Sequence, residues 1–231
     1  MNFSLADSLA DCPIIAAAKN DEGLEQALSS DSPVVFLLYG SVCSVAGQTR
    51  RVAAAGKVPF VHADLIDGLS AREVAVDFIA AQTAAAGIIS TKPALIRRAR
   101  ELGLCAVQRF FVLDSIALEN LKRQLENTRP DSIEILPGVM PKVIRRITGF
   151  ARVPVIAGGL ISDKEDIIAA LRWDKNAPKF VRLFDEGDIT GYGSHSEADA
   201  ALCAIIAFRA GPNPALIDAI FRKSELYRDD K

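Results

Sequence analysis

Residues 87–136 read GIISTKPALIRRARELGLCAVQRFFVLDSIALENLKRQLENTRPDSIEIL, and this stretch decides the architecture. Gly87-Ile88-Ile89-Ser90 is a short apolar run, and Pro93 opens a helical stretch to Leu102. Cys105-Ala106-Val107-Gln108-Arg109-Phe110-Phe111 is a second run, followed by a helical stretch over Ser115–Asn127, and Ser132-Ile133-Glu134-Ile135-Leu136 is a third. Near-continuous apolar strands of this kind are covered on both faces, unlike the alternating strands of half-solvated sheets. Strands separated by helices pair in parallel, because each return needs a right-handed crossover.

The same unit recurs in both directions along the chain. Upstream, strands are expected at Pro13–Ala18, Val34–Gly40 and Phe60–Leu65, with helices over 21–29, 45–55 and 71–81. Downstream, a helix is expected at Pro141–Thr148, a strand at Val153–Ala157 and a helix at Asp163–Leu171. Seven even βα units with no GxGxxG after the first strand favour a TIM-like (β/α)8 barrel over an open doubly wound sheet. Lys179–Phe184 is the candidate for the eighth strand. If it fails to pair, the open edge invites dimerisation, so a homo-oligomer is among the expected assemblies.

Composition agrees with a packed α/β protein. Half of the 231 residues are hydrophobic but only 6% are aromatic, so aliphatic side chains must form the core. The N-terminus lacks the basic start and apolar run of a secretory signal, and no segment is long enough to span a bilayer. The four cysteines are scattered without CxxC or histidine spacing, so neither disulfide nor metal site is expected and a cytoplasmic location is. The net charge of −2 hides an asymmetry: residues 92–152 hold twelve Lys/Arg against six Asp/Glu, whereas both flanks are acidic. A basic segment in an acidic chain suits a face that meets phosphates, although exposed helix faces are often basic without binding anything.

Functional groups of such barrels sit at the carboxyl ends of the strands. Those ends carry Lys19, Gly40-Ser41, His62 with Asp64, Ser90-Thr91-Lys92, Gln108-Arg109, Glu134 and Gly158-Gly159. Lys19, Lys92 and Arg109 make a cationic centre suited to an anion, and salt bridges to Asp64 or Glu134 are the purely structural alternative. His62 reads as inward-facing and structural. Gly158-Gly159 could let backbone amides approach a phosphate, or could simply turn the chain.

Five runs resemble the glycerol-3-phosphate-responsive antiterminator family: Phe60–Ser70, Gly87–Lys92, Gln108–Ser115, Ile133–Pro141 and Ile156–Ile161. The resemblance covers residues 12–171. It implies a regulator, not an enzyme, that has no cofactor, senses glycerol 3-phosphate and binds an mRNA leader so that a terminator hairpin does not form. Lys19, Lys92, Arg109, Gly158 and Gly159 would then hold the phosphate, and Asp64 and Glu134 would accept hydrogen bonds from glycerol hydroxyls. RNA contact would fall to Arg97, Arg98 and Arg100, to Lys122 and Arg123, and to Lys142, Arg145 and Arg146, on three consecutive helices.

Beyond Leu171 the resemblance ends, which divides the chain into a barrel over 1–171 and an atypical segment over 172–231. Asp185-Glu186-Gly187-Asp188 puts acids where the second half of a phosphate cup is expected. A helical hairpin is expected over 194–223, turning at Gly211-Pro212-Asn213-Pro214, and this tail resembles a small helical module of phage and plasmid primase-type replication proteins. Two further readings stand beside the regulator. One is a barrel enzyme acting on a small phosphorylated metabolite, with Lys92 for a Schiff base and Asp64 or Glu134 for acid–base work. The other is a replication-associated module fused to an inert barrel.

Overall fold

The computed structural model describes residues 4–12, 14–161, 177–210 and 214–228. Seven strands, β1 (Ala16–Ala18), β2 (Val34–Leu37), β3 (Val58–His62), β4 (Gly87–Ser90), β5 (Cys105–Phe111), β6 (Ser132–Leu136) and β7 (Val155–Ala157), form one sheet in sequential order. Every neighbouring pair is parallel. Helices α2 (Asp21–Ser29), α3 (Val45–Ala54), α4 (Val74–Gln82), α5 (Pro93–Glu101), α6 (Ser115–Thr128) and α7 (Pro141–Thr148) return the chain between them.

Local chemistry marks the helix ends. Asn20 Oδ1 accepts the Gly23 N–H at 2.7 Å and Asp114 Oδ1 accepts the Ala117 N–H at 2.7 Å, so each satisfies a donor left over by the first turn. Pro93 and Pro141 stand at helix starts, where the missing N–H costs nothing.

Strand alternation separates two cores. Val35, Leu37, Val61, Ile88 and Ala106 face α2 to α5, whose Leu24, Val52, Ile79, Leu95 and Ile96 bury against them. Phe110, Ile133 and Ile135 continue that layer under α6 and α7. The other parity, Val34, Phe36, Phe60, Ile89 and Val107, gathers into one cluster that Ile156 of β7 also joins. Side chains from strands so far apart meet only because the sheet curls. Leu5 and Leu9 of α1 (Leu5–Asp11), a helix capped by Ser4 that the sequence reading missed, fill the concave side.

The third strand begins at Val58, two residues before the predicted Phe60, and its predicted end forms a 3-10 turn over Ala63–Leu65. Proline rarely sits inside a sheet, yet Pro59 lies opposite Val35 and offers its carbonyl to the Ala86 N–H. Its missing donor would point where β4 has not yet begun, so no ladder bond is lost.

The expected eighth strand at Lys179–Phe184 is a helix, α8 (Ala177–Phe184). Phe180, Leu183 and Phe184 fall three and four residues apart, a helical spacing that buries all three against Ala198, Leu202 and Ile206 of α9 (His195–Ala210). Phe180 and Phe184 stack at 4.7 Å. A strand would have split these side chains between two faces. Among the described residues the sheet therefore ends at β1 and β7, each three residues long. The α10 helix (Pro214–Phe221) packs on α9, and Ile14 joins the same apolar cluster. The helix expected at Asp163–Leu171 and the turn at 211–213 lie outside the described residues.

Candidate ligand site and basic helix faces

The parity that puts Phe36 and Phe60 in the concave core brings Lys19, His62, Arg109 and Glu134 to its upper rim. Arg109 and Glu134 stand opposite each other in register on β5 and β6. The guanidinium donates from Nε to Oε2 at 2.6 Å and from Nη2 to Oε1 at 3.1 Å, and both side chains are buried. Gly158 closes the other flank, because a Cβ there would lie 2.3 Å from Glu134 Oε1.

Asp64 organises the neighbouring strand ends. Its Oδ1 accepts from the Ser90 hydroxyl at 2.7 Å and from Lys92 Nζ at 3.4 Å, while Oδ2 accepts from the Thr91 N–H at 2.8 Å and its hydroxyl at 2.7 Å. Burial works against the Asp64 charge, but these hydrogen bonds and the Lys92 ammonium outweigh it and hold the carboxyl below its usual range. Ser90 and Thr91 were legible as strand-end residues, but nothing in the sequence marked them as the holders of Asp64.

The structure thus joins the predicted site residues into two ion pairs, Lys92 with Asp64 and Arg109 with Glu134. Lys19 is exposed and in no ion pair among the described residues. Gly158 donates its N–H to the Ile135 carbonyl within the ladder, so this amide is spent. Gly159 adopts φ +70° and Leu160 φ +61°, a left-handed turn at the β7 end, and the Gly159 carbonyl accepts the Gly138 N–H at 3.0 Å. Gly138 itself packs against the Gly158 backbone, where a Cβ would meet Gly158 N at 2.9 Å.

His62 is 2% exposed, and neither ring nitrogen has a hydrogen-bond partner among the described residues. Burial, reinforced by the Arg109 guanidinium, lowers its pKa to about 4, so the ring is neutral at pH 7.

The basic helices are unevenly engaged. Arg98 pairs with Asp77 and Glu101, and Arg100 pairs with Asp131. Arg123 donates to Asn120, and Lys122 lies 4.9 Å over the Phe150 ring. Arg145 on α7 is exposed but also engaged, whereas Arg97 on α5 and Lys142 and Arg146 on α7 are simply exposed. Among the described residues no helix is long and apolar enough to cross a membrane, and no cluster of His, Cys, Asp or Glu could hold a metal.

Comparison with known proteins places this geometry. Residues 14–177 match the family model described as glycerol-3-phosphate responsive antiterminator, and residues 195–230 match that of the NrS-1 polymerase HBD domain. The uncharacterized protein YgcP of Escherichia coli K12 is 42% identical over 154 residues, 67% of this chain and 81% of that protein. The glycerol uptake operon antiterminator regulatory protein of Listeria monocytogenes aligns with a TM-score of 0.68 at 32% identity, over 73% of this chain and 90% of its own. A glycerol uptake operon antiterminator-related protein of Thermotoga maritima aligns at 0.61 and 34% identity, over 69% and 89%. The described family is one of regulators, which displaces the enzyme reading of the strand ends. By its sequence match and its seven-stranded parallel scaffold, the chain belongs to the glycerol-3-phosphate responsive antiterminator family.

Proposed function

We propose that this protein is a cytoplasmic, ligand-gated regulator that binds glycerol 3-phosphate at the strand-end mouth and an mRNA leader on its basic helices, preventing transcription termination. The reading rests on the family match over residues 14–177. Lys19, Lys92 and Arg109 supply cations for the phosphate, and Asp64 and Glu134 hold two of them in place while leaving other donors available. The Arg109–Glu134 contact uses Nε and Nη2, which leaves the Nη1 N–H groups for an incoming anion. Gly158 and Gly159 keep the β7 end free of side chains that would fill the mouth.

Arg97, Lys142 and Arg146 are the strongest candidates to track an RNA backbone, with Arg98, Arg100, Lys122, Arg123 and Arg145 beside them already making contacts within the protein. Residues 177–210 and 214–228 form an appendage with its own apolar cluster, a reading supported by the separate match of residues 195–230. Among the described residues the curled sheet acts as the wall of an incomplete barrel ending at β1 and β7, and these edges are where a second copy would pair.

Millimolar glycerol 3-phosphate is expected to raise the melting temperature by mass action on the native state and to tighten binding of a glycerol-operon leader RNA. A melting temperature unmoved by the ligand would sink the sensor reading.

A further inference from the structure

Among the strand-end side chains, His62 is the buried group that the ion pairs leave unserved. Below it on the same face of β3, Val58 and Phe60 pack into the concave apolar cluster. A purely structural role at the next inward position would be met by a third apolar side chain. The charged groups that face the ring are Arg109 on β5, Asp64 after β3 and Lys92 at the start of α5. Each is already committed: both Asp64 oxygens accept two hydrogen bonds, Lys92 leans on Asp64, and Arg109 is held by Glu134. None of these groups hydrogen-bonds the imidazole.

We propose that His62 is a ligand-recognising residue of this mouth, its two unspent ring nitrogens receiving hydroxyls of a small phosphorylated polyol; this rests on the regulator reading above. A neutral imidazole carries one donor and one acceptor on diverging nitrogens, and hydroxyls, which both donate and accept, can answer either one. The oxygens of an ionised phosphate monoester only accept, so the anion goes to the lysine and arginine side chains while the ring reads the hydroxylated carbon skeleton. Recognition is then divided between two sets of residues. Cations select the phosphate, and His62 selects the hydroxylated ligand over inorganic phosphate.

The chain has two histidines, His62 and His195, which makes the test direct. In imidazole-15N-labelled full-length protein, glycerol 3-phosphate is expected to shift the His62 ring nitrogens and leave those of His195 in place. Inorganic phosphate is expected to leave both unmoved. His62→Phe is expected to weaken glycerol 3-phosphate by about tenfold or more while changing inorganic phosphate affinity less than about twofold. Equal affinity of His62→Phe and wild type for glycerol 3-phosphate overturns the proposal. So does an equal loss for both ligands, which marks a structural residue, or an unmoved His62 signal on saturation, which marks a ring served by an internal water. Should His62→Phe not fold, the wild-type nitrogen shifts decide alone. Wild-type protein that binds neither ligand brings down the regulator reading and this proposal together, whereas binding with an indifferent His62 brings down only the second.

Discussion

Arg109 on β5 and Glu134 on β6 face each other directly across the sheet, joined by contacts of 2.6 and 3.1 Å, with side chains only 9% and 6% exposed. The pair sits on top of an apolar core, and Gly158, just after β7, leaves no room beside the carboxylate. A buried pair of this kind holds each charge in place through the other. Removing one partner leaves the second desolvated and uncompensated.

Arg109→Met is therefore expected to destabilise the fold by about 3–5 kcal/mol, measured by urea denaturation. The double variant Arg109→Met/Glu134→Leu should recover most of that loss, because no isolated charge remains. A single variant within about 1 kcal/mol of wild type would show that the pair is not structural.

Glycines at two positions should respond with opposite sign. Gly158→Ala drives a methyl group to 2.3 Å from Glu134 Oε1 and should cost about 1–3 kcal/mol by disturbing the ion pair. Gly47→Ala lies inside α3 with nothing within 4 Å of the added carbon. It should stabilise by about 0.4–1 kcal/mol, through reduced freedom of the unfolded chain. Thermal unfolding of the two variants side by side checks both.

Acid should weaken the protein through His62 before it acts through the carboxylates. The folded pKa of about 4 lies below the ordinary 6.5, so between those values the unfolded chain binds more protons. Stability is complete above pH 6.5 and falls as the pH drops toward 4, by about 3 kcal/mol in total. Asp64, also depressed, adds a further loss once the pH passes below the ordinary carboxylate value. Denaturation midpoints at pH 7, 6, 5 and 4.5 should decline in wild type and stay flatter in His62→Phe; parallel curves would contradict the assignment.

Charge removal on the basic helices should separate RNA contacts from fold contacts. Replacing Arg97, Lys142 and Arg146 by Ala should lower the salt dependence of leader-RNA binding by about two to three in log–log slope, with little effect on melting temperature. Arg98→Ala should chiefly release Asp77 and Glu101 on the surface. An unchanged slope in the triple variant would remove this face from the RNA site.

The outline of the fold was readable because its signals are local. Apolar runs such as Gly87–Ser90, Cys105–Phe111 and Ser132–Leu136 match the observed strands at both ends. Errors arose where local signals compete. Pro59 resembles a breaker and is tolerated only because of where β4 starts, and Lys179–Phe184 is apolar enough for a strand although its spacing is helical.

The candidate site divides along the same line. Sequence alone put Lys19, Asp64, His62, Lys92, Arg109, Glu134 and Gly158 at strand ends, because strand parity and the βα order suffice for that. It also carried the family, since motif order and spacing are properties of the chain. Only the tertiary structure decided which charges meet. Lys92 could have chosen Glu134, and Arg109 could have chosen Asp64. Sheet register set Arg109 against Glu134, and the turns after β3 and β4 brought Asp64 to Ser90, Thr91 and Lys92. The same closure left His62 buried among groups already engaged. Pairing of this kind depends on ångström distances between residues about 25 positions apart, and no local pattern in a sequence encodes them.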